Sequence, residues 1–204
     1  GLSLPEYFEG IAILLRGRGV VGLALMAGVR SMAQSGLLLF IPLYLANVLQ
    51  VGPTMVGLGI AAMQLGGMVA GPIAGTWSDR IGRRPVVLAG LSASTVLIFV
   101  LTVIHNDILF IAGVSVLGFV MYAARPVIHS WMMDLAPAKV AARATSVMFG
   151  VQALFTTIML AVGGGVADKW GLQVVFYLLA ASMLVANVLV YMLPNKLPDD
   201  ASGA

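Results

Sequence analysis

The stretch Gly75-Thr76-Trp77-Ser78-Asp79-Arg80-Ile81-Gly82-Arg83-Arg84 decides the fold of this chain. It puts four charged residues into six positions between two long apolar segments, although charged residues make up only 9% of the 204 residues and hydrophobic residues 60%. A soluble domain carries about 25% charged residues. Because a water-soluble surface cannot be built from this composition, the sequence predicts a membrane protein with a membrane boundary at this stretch.

On both sides of this stretch, apolar segments are long enough to cross a bilayer, which takes about 20 helical residues. They lack the alternation expected of membrane-spanning strands. The sequence therefore predicts an all-α membrane protein with a bundle of six transmembrane helices over residues 19–193. The predicted helices lie near residues 20–47, 54–77, 85–104, 108–133, 142–166 and 172–193.

The two ends of the chain differ from this bundle. Residues 1–18 combine apolar residues at helical spacing with Glu6 and Glu9 and end in a cytoplasmic basic segment, which is typical of a short amphipathic helix on the membrane surface. Residues 194–204 contain prolines, aspartates and small residues and predict a disordered cytoplasmic tail. The chain starts at Gly1 without an initiator Met, so we expect a fragment of a longer protein.

The distribution of Lys and Arg predicts the orientation in the membrane. One set of helix ends receives only Lys169. This bias predicts an integral protein of the plasma (inner) membrane with both termini in the cytoplasm. The opposite, cytoplasmic set receives Arg16, Arg18, Arg80, Arg83, Arg84, Lys139, Arg143 and Lys196.

A short pattern occurs twice in the chain. Gly75-xxx-Asp79-xx-Gly82 follows the second apolar segment, and Gly164-xxx-Asp168-xx-Gly171 follows the fifth. Two three-helix repeats of inverted topology would place one copy on each side of the membrane, as the charge bias requires. The alternative is chance, because the pattern is short and glycine is common in this sequence.

The first copy, G-x-x-x-D-R-x-G-R-R, resembles the signature loop of the major facilitator superfamily. In that family the signature follows the second helix of a six-helix half. The resemblance implies that the whole chain is half of a major facilitator fold, and its linker-like start favours the C-terminal half. The missing N-terminal six-helix half would then be its partner. The matching residues are Gly75, Asp79, Arg80, Gly82, Arg83 and Arg84.

The resemblance also implies that this motif is a conformational latch, which stabilises the outward-open state against a helix of the opposite half. The residues support a latch, because Asp79 can pair with Arg80 or Arg83 and Gly82 permits a tight turn. A stripe of glycines at four-residue spacing would let another helix pack backbone to backbone. A plain cytoplasmic loop would need the arginines only. The stripe consists of Gly67, Gly71 and Gly75.

Charged residues inside the apolar segments predict a solute site. Arg30 lies about 15 Å into the first segment, where an arginine usually faces a partner or a watery cavity. Arg125 in the fourth segment is followed by Pro126, which frees a backbone carbonyl. In the family that the chain resembles, the first and fourth helices line the central cavity. Alternatively, Arg125 snorkels to the cytoplasmic boundary.

Further polar residues extend this predicted substrate-binding site. Gln34 follows Arg30 by one turn, and His129 is either a proton carrier or a partner of a backbone carbonyl. No Asp or Glu lies deep in any segment, so two buried cations favour an anionic substrate or acidic partners in the other half. The complete predicted set is Arg30, Gln34, Tyr122, Arg125, His129, Gln152 and Thr156.

The leading functional hypothesis is half of a secondary active transporter that moves a small solute by alternating access. An ion or proton gradient would drive it, since no nucleotide-binding loop is present, and efflux of drugs or organic anions by an antiporter is the preferred version. A channel or non-transporting scaffold is the alternative. An intramembrane hydrolase around Ser92 is a remote one, because Gly90-Leu91-Ser92-Ala93-Ser94 lacks the last glycine of a nucleophile elbow. We therefore expect no enzyme, cofactor, metal or nucleic-acid partner.

Overall fold

Six long helices build the part of the chain that the computed structural model describes, which is Leu14, residues 16–136 and residues 140–193. The tail at 194–204 and all of the linker helix before Leu14 lie outside the described residues. The helices are α1 (Arg18–Asn47), α2 (Pro53–Ile81), α3 (Arg83–Leu101), α4 (Asp107–Leu135), α5 (Ala141–Trp170) and α6 (Leu172–Tyr191). Each is long and apolar enough to cross a membrane, which confirms the predicted all-α fold.

Local sequence explains where several helices begin. Pro53 occupies the first turn of α2, where its missing N–H has no intrahelical partner to lose. The Asn106 side chain accepts a hydrogen bond of 3.0 Å from the backbone N–H of Leu109 and so caps α4. Pro53 and Asn106 both lie in the short connections between the predicted spans.

The helices pack as two related triplets. Helix α1 packs mainly against α5 and α6, while α4 packs mainly against α2 and α3. If α1, α2 and α3 are exchanged for α4, α5 and α6, the contacts of α1 with α5 and α6 become the contacts of α4 with α2 and α3. The contact between α3 and α6 is unchanged by this exchange. Because each triplet has an odd number of spans, its repeat enters the membrane from the opposite side. The packing thus agrees with the predicted inverted repeat.

The two copies of the short pattern share an unusual backbone geometry. Gly82 has φ 94° and ψ 157°, and Gly171 has φ 89° and ψ 164°. Among the described glycines, these two alone have positive φ. This region of backbone space is essentially restricted to glycine and costs other residues about 1–3 kcal/mol. Both junctions therefore depend on the last glycine of the pattern.

The signature is less of a loop than the sequence predicted. Helix α2 continues through Asp79 and Arg80 to Ile81, and α3 begins at Arg83. Only Gly82 separates the two helices, because its positive φ turns the chain within one residue. The predicted end of the second helix near residue 77 is therefore four residues short.

The glycine stripe also packs differently from the prediction. A side chain on Gly67 would meet the Tyr122 ring, and at Gly75 it would meet nothing within 4 Å. The backbone-to-backbone crossing lies elsewhere, where a Cβ on Gly118 of α4 would lie 2.1 Å from the Met63 carbonyl oxygen of α2. Gly66 faces the backbone of α4 in the same way. Small residues thus do bring two helices together, but α2 uses Gly66 rather than the stripe.

Candidate functional site

Arg30 lies in the interior of the helical bundle. It is twelve residues from the start of α1, or about 18 Å along the helix, and only 4% exposed. Its Nη2 donates a hydrogen bond to the backbone carbonyl of Met121 in α4. The buried Nε has no hydrogen-bond partner among the described residues. Arg30 therefore ties α1 to α4 and still has an unused donor.

Three other predicted site residues lie on α4 near this contact. Arg30 interacts electrostatically with Arg125 and Tyr122, and His129 interacts with both arginines. Arg125 is exposed, whereas Tyr122 and His129 are half-buried. Tyr122 is held by the close approach of Gly67. The structure therefore brings these four residues together in one positively charged cluster between α1 and α4.

Arg125 lies farther from the helix end than the sequence indicated. Helix α4 continues to Leu135, so Arg125 is about 15 Å, nearly three turns, from its C-terminal end. Pro126 leaves the Tyr122 carbonyl without an intrahelical donor, one residue after the carbonyl that Arg30 contacts. The cluster of Arg30, Tyr122, Arg125 and His129, here called the arginine cluster, therefore lies beside the carbonyl that Pro126 leaves without an intrahelical donor.

Hydroxyl groups join α1 to α5 beside this cluster. Thr156 Oγ1 lies 3.3 Å from Ser35 Oγ and 3.5 Å from Ser31 Oγ. Gln34 is buried on the same helix as the two serines, and Gln152 is half-buried on α5. Sequence reasoning missed the two serines. Each directly follows a predicted site residue, Ser31 after Arg30 and Ser35 after Gln34, and this repeated pair at four-residue spacing could have indicated them.

The signature residues form a second charged cluster at one end of the bundle. Arg83 contacts Asp79 at 2.5 Å (Nη1–Oδ1) and Asp134 at 3.1 Å (Nε–Oδ2). Its Nη1 also donates a 2.6 Å hydrogen bond to Ser78 Oγ. Of the two predicted partners of Asp79, the structure shows Arg83. Asp134, near the end of α4, was not predicted as a partner of Arg83. It is an acidic residue at the same end of the bundle as the signature arginines, and this position could have indicated it.

The other signature residues behave differently from one another. Arg84 Nη2 donates a 2.7 Å hydrogen bond to the Tyr191 carbonyl, and its guanidinium lies 5.6 Å from the centre of the Tyr191 ring. Arg80 is exposed and makes no hydrogen bond or ion pair with the described part of the chain. Gly75 faces open space. The cluster thus fastens α2, α3, α4 and α6 at one end and leaves one arginine exposed.

The remote hydrolase hypothesis finds no support in the geometry around Ser92. This residue lies within α3, and its Oγ donates a 3.2 Å hydrogen bond to Asn187 Oδ1 of α6. Asn187 therefore links two helices. Within the described residues, no group of three His, Cys, Asp or Glu side chains is placed to hold a metal.

These features define the class of the molecule, an integral membrane protein built from two inverted triplets of helices with buried charge between them. The family model of the Major Facilitator Superfamily matches residues 23–203. The chain therefore belongs to the major facilitator superfamily, as its signature motif predicted. Membership of this family of transporters also confirms that the chain is not an enzyme. No curated protein matches the chain.

Solved structures of transporters share the fold. The POT family transporter PepTSo superimposes with a TM-score of 0.77 at 15% identity, over 89% of this chain and 39% of that one. A peptide transporter POT in complex with sulfate gives 0.77 at 16%, over 91% and 42%. The proton:xylose symporter XylE gives 0.70 at 14%, over 95% and 46%. This chain thus spans less than half the length of these transporters.

Proposed function

We propose that this chain is one six-helix half of a secondary active transporter, which carries a small organic anion by alternating access. The other half, which we propose to be N-terminal, would complete the central cavity. The observation that carries the proposal is Arg30, a buried arginine in the middle of a membrane-spanning helix. A charge at that depth is costly unless a partner or water meets it.

The surroundings of Arg30 favour an anion as its partner. Within the part of the chain that the structure describes, its electrostatic interactions are with another arginine and a tyrosine, and none is with a carboxylate. A carbonyl oxygen satisfies one nitrogen of the guanidinium but does not neutralise its charge. The missing negative charge would come from cargo, with acidic side chains of the opposite half as the competing source. Hydroxyl groups of Ser31, Ser35 and Thr156 would contact polar parts of the same cargo.

The exposure of the helices supports docking of a second half. In the most apolar 18 residues of each helix, 61% are buried in α1 but only 17% in α2 and in α5. These two helices occupy equivalent places in the two triplets. Their apolar surfaces require lipid or protein to cover them. We infer that the opposite half covers part of both helices, and that the two halves rock around the arginine cluster.

Coupling and orientation follow from the same charges. His129 is the histidine that lies in the cluster with both arginines. Because no Asp or Glu lies deep in any of the apolar segments, a coupling carboxylate would belong to the other half. The arginine-rich end would face the cytoplasm of a plasma (inner) membrane. Efflux is the direction that we prefer for an antiporter of this kind. The two charged clusters would then have separate roles, cargo binding in the middle and conformational control at the cytoplasmic end.

The full-length protein in liposomes tests this function. We expect saturable uptake of radiolabelled benzoate, accelerated by unlabelled benzoate on the opposite side, and little uptake of benzamide, which has the same shape without the charge. Exchange of this kind requires a carrier that alternates between two states. Flux that rises linearly with concentration and shows no exchange would indicate a channel. A protein that moves none of the probes would contradict the proposal and favour a scaffold.

The latch role predicts an effect on turnover rather than on binding. We expect Asp79→Asn to lower the maximal rate about fivefold, since an exposed ion pair contributes up to about 1 kcal/mol to one state. The KM should stay within about twofold, because Asp79 is far from the arginine cluster. Asp134→Asn, which removes the other contact of Arg83, is the matched control and should have the smaller effect if Asp79 also faces the opposite half. A raised KM at an unchanged maximal rate for Asp79→Asn would contradict the latch.

A further inference from the structure

An apolar groove runs along the outside of the bundle between α2, α3 and α4. Its volume is about 250 Å³, and it extends along α2 from Ala70 to Ile81. That distance is about 16 Å along a helix. One leaflet of a bilayer supplies about half of the roughly 30 Å hydrocarbon core. The length of the groove is therefore close to the thickness of the hydrocarbon layer of one leaflet, which one acyl chain spans.

The packing of the helices creates this groove. Helices α2 and α4 touch backbone to backbone at Gly66 and Gly118, and the lining of the groove begins after that crossing. The facing part of α3 carries small residues, Ala89, Gly90 and Ala93, which leave the space unfilled. A Cβ on Gly90 would meet Ala124 at an ordinary 3.5 Å. The small side chains of α3 thus contribute to the open volume of the groove.

Positive charge stands at one end of the groove. Arg80 lies between Trp77 and Ile81, two residues that line the groove, on the flank of the same helix face. Arg80, Arg83 and Arg84 outnumber Asp79 and Asp134 at this end, and Arg80 is the one of these three arginines that has no hydrogen-bond or ion-pair partner among the described residues. The first turn of α3 has no side-chain cap, so the backbone N–H groups of Arg83 and Arg84 add donors for an anion, whereas Pro85 has no N–H to contribute.

We propose that this groove binds an anionic phospholipid. One acyl chain occupies the groove, and Arg80 with the first turn of α3 binds the headgroup phosphate. The charge and the groove favour this occupant together, because an apolar groove alone accepts any lipid, and a basic residue near the surface of an anionic leaflet adds about 1 kcal/mol of attraction. The site is distinct from the proposed cargo site and does not require transport.

Trp77 provides a direct measurement, because it lines the groove. In the full-length protein, the Trp77 signal is the fluorescence difference from a Trp77→Phe variant. Brominated phosphatidylglycerol is expected to quench this signal at about one fifth of the membrane fraction that brominated phosphatidylcholine requires. Arg80→Gln should remove this difference between headgroups. Lys169→Gln, which deletes a charge at the other end of the bundle, should preserve it.

A second variant tests the acyl-chain part of the site. Gly90→Leu places a side chain into the groove and should reduce quenching by both brominated lipids. Equal quenching by the two lipids in the unmodified protein, with no effect of Arg80→Gln, would overturn the proposal. So would a Trp77 signal that neither lipid quenches, since protein would then cover the groove. Because quenching is read without flux, a protein that binds this lipid but carries no benzoate would contradict only the proposed transport function.

Discussion

Arg30→Ala is expected to lower benzoate transport about 100-fold while the protein still inserts into the membrane. A charge-assisted hydrogen bond to an ionised partner contributes up to about 3 kcal/mol, which corresponds to a factor of this size. Arg30 is the residue in the arginine cluster that is both buried and provided with an unused donor. Initial rates in liposomes, normalised to the amount of folded protein, give the measurement.

Two further variants make this result interpretable. Arg30→Lys keeps the positive charge but loses the planar fork of donors, and it should transport at an intermediate rate, about tenfold reduced. Leu39→Ala removes an exposed side chain of the same helix and should leave transport unchanged. If Arg30→Ala inserts normally and carries benzoate at the unmodified rate, Arg30 has no part in the cargo site and serves only to join α1 to α4.

Gly118→Ala is expected to have the largest effect on stability. Its Cβ would lie 2.1 Å from the Met63 carbonyl oxygen, and a backbone atom cannot move aside as a flexible side chain can. Overpacking costs about 1–3 kcal/mol, and a contact with backbone lies at the upper end of this range, so we expect a strongly lowered unfolding temperature in detergent. The matched control is Gly150→Ala in α5, where a Cβ meets nothing within 4 Å. That variant should be as stable as the unmodified protein or slightly more stable, because alanine favours helix. A Gly118→Ala protein that unfolds like the control would contradict the close crossing of α2 and α4.

The helices could be predicted because their signal is local. Long apolar segments separated by Gly52-Pro53 or Asn106 fix the spans to within a few residues. The signature was harder, since its charged residues indicated a loop. Helical geometry nevertheless satisfies the backbone of Asp79 and Arg80, and glycine at position 82 turns the chain without additional residues.

The partners of the site residues could not be predicted in the same way. Which side chains meet depends on how each helix is rotated about its axis, and the apolar segments are hydrophobic on all sides. Arg30 was expected to face a partner or a watery cavity, but nothing in the order of residues indicated its hydrogen bond to the Met121 carbonyl. Likewise, Gly66 and Gly67 are neighbours in sequence, and only the packed structure shows that Gly66 faces the backbone of α4.

The matching geometry of Gly82 and Gly171 has a consequence for how the chain enters a bilayer. Each bend depends on a glycine with positive φ. Arginines surround one bend and a single lysine accompanies the other. The two junctions therefore share a backbone geometry and differ in charge, so charge rather than the bend itself distinguishes the two directions of insertion.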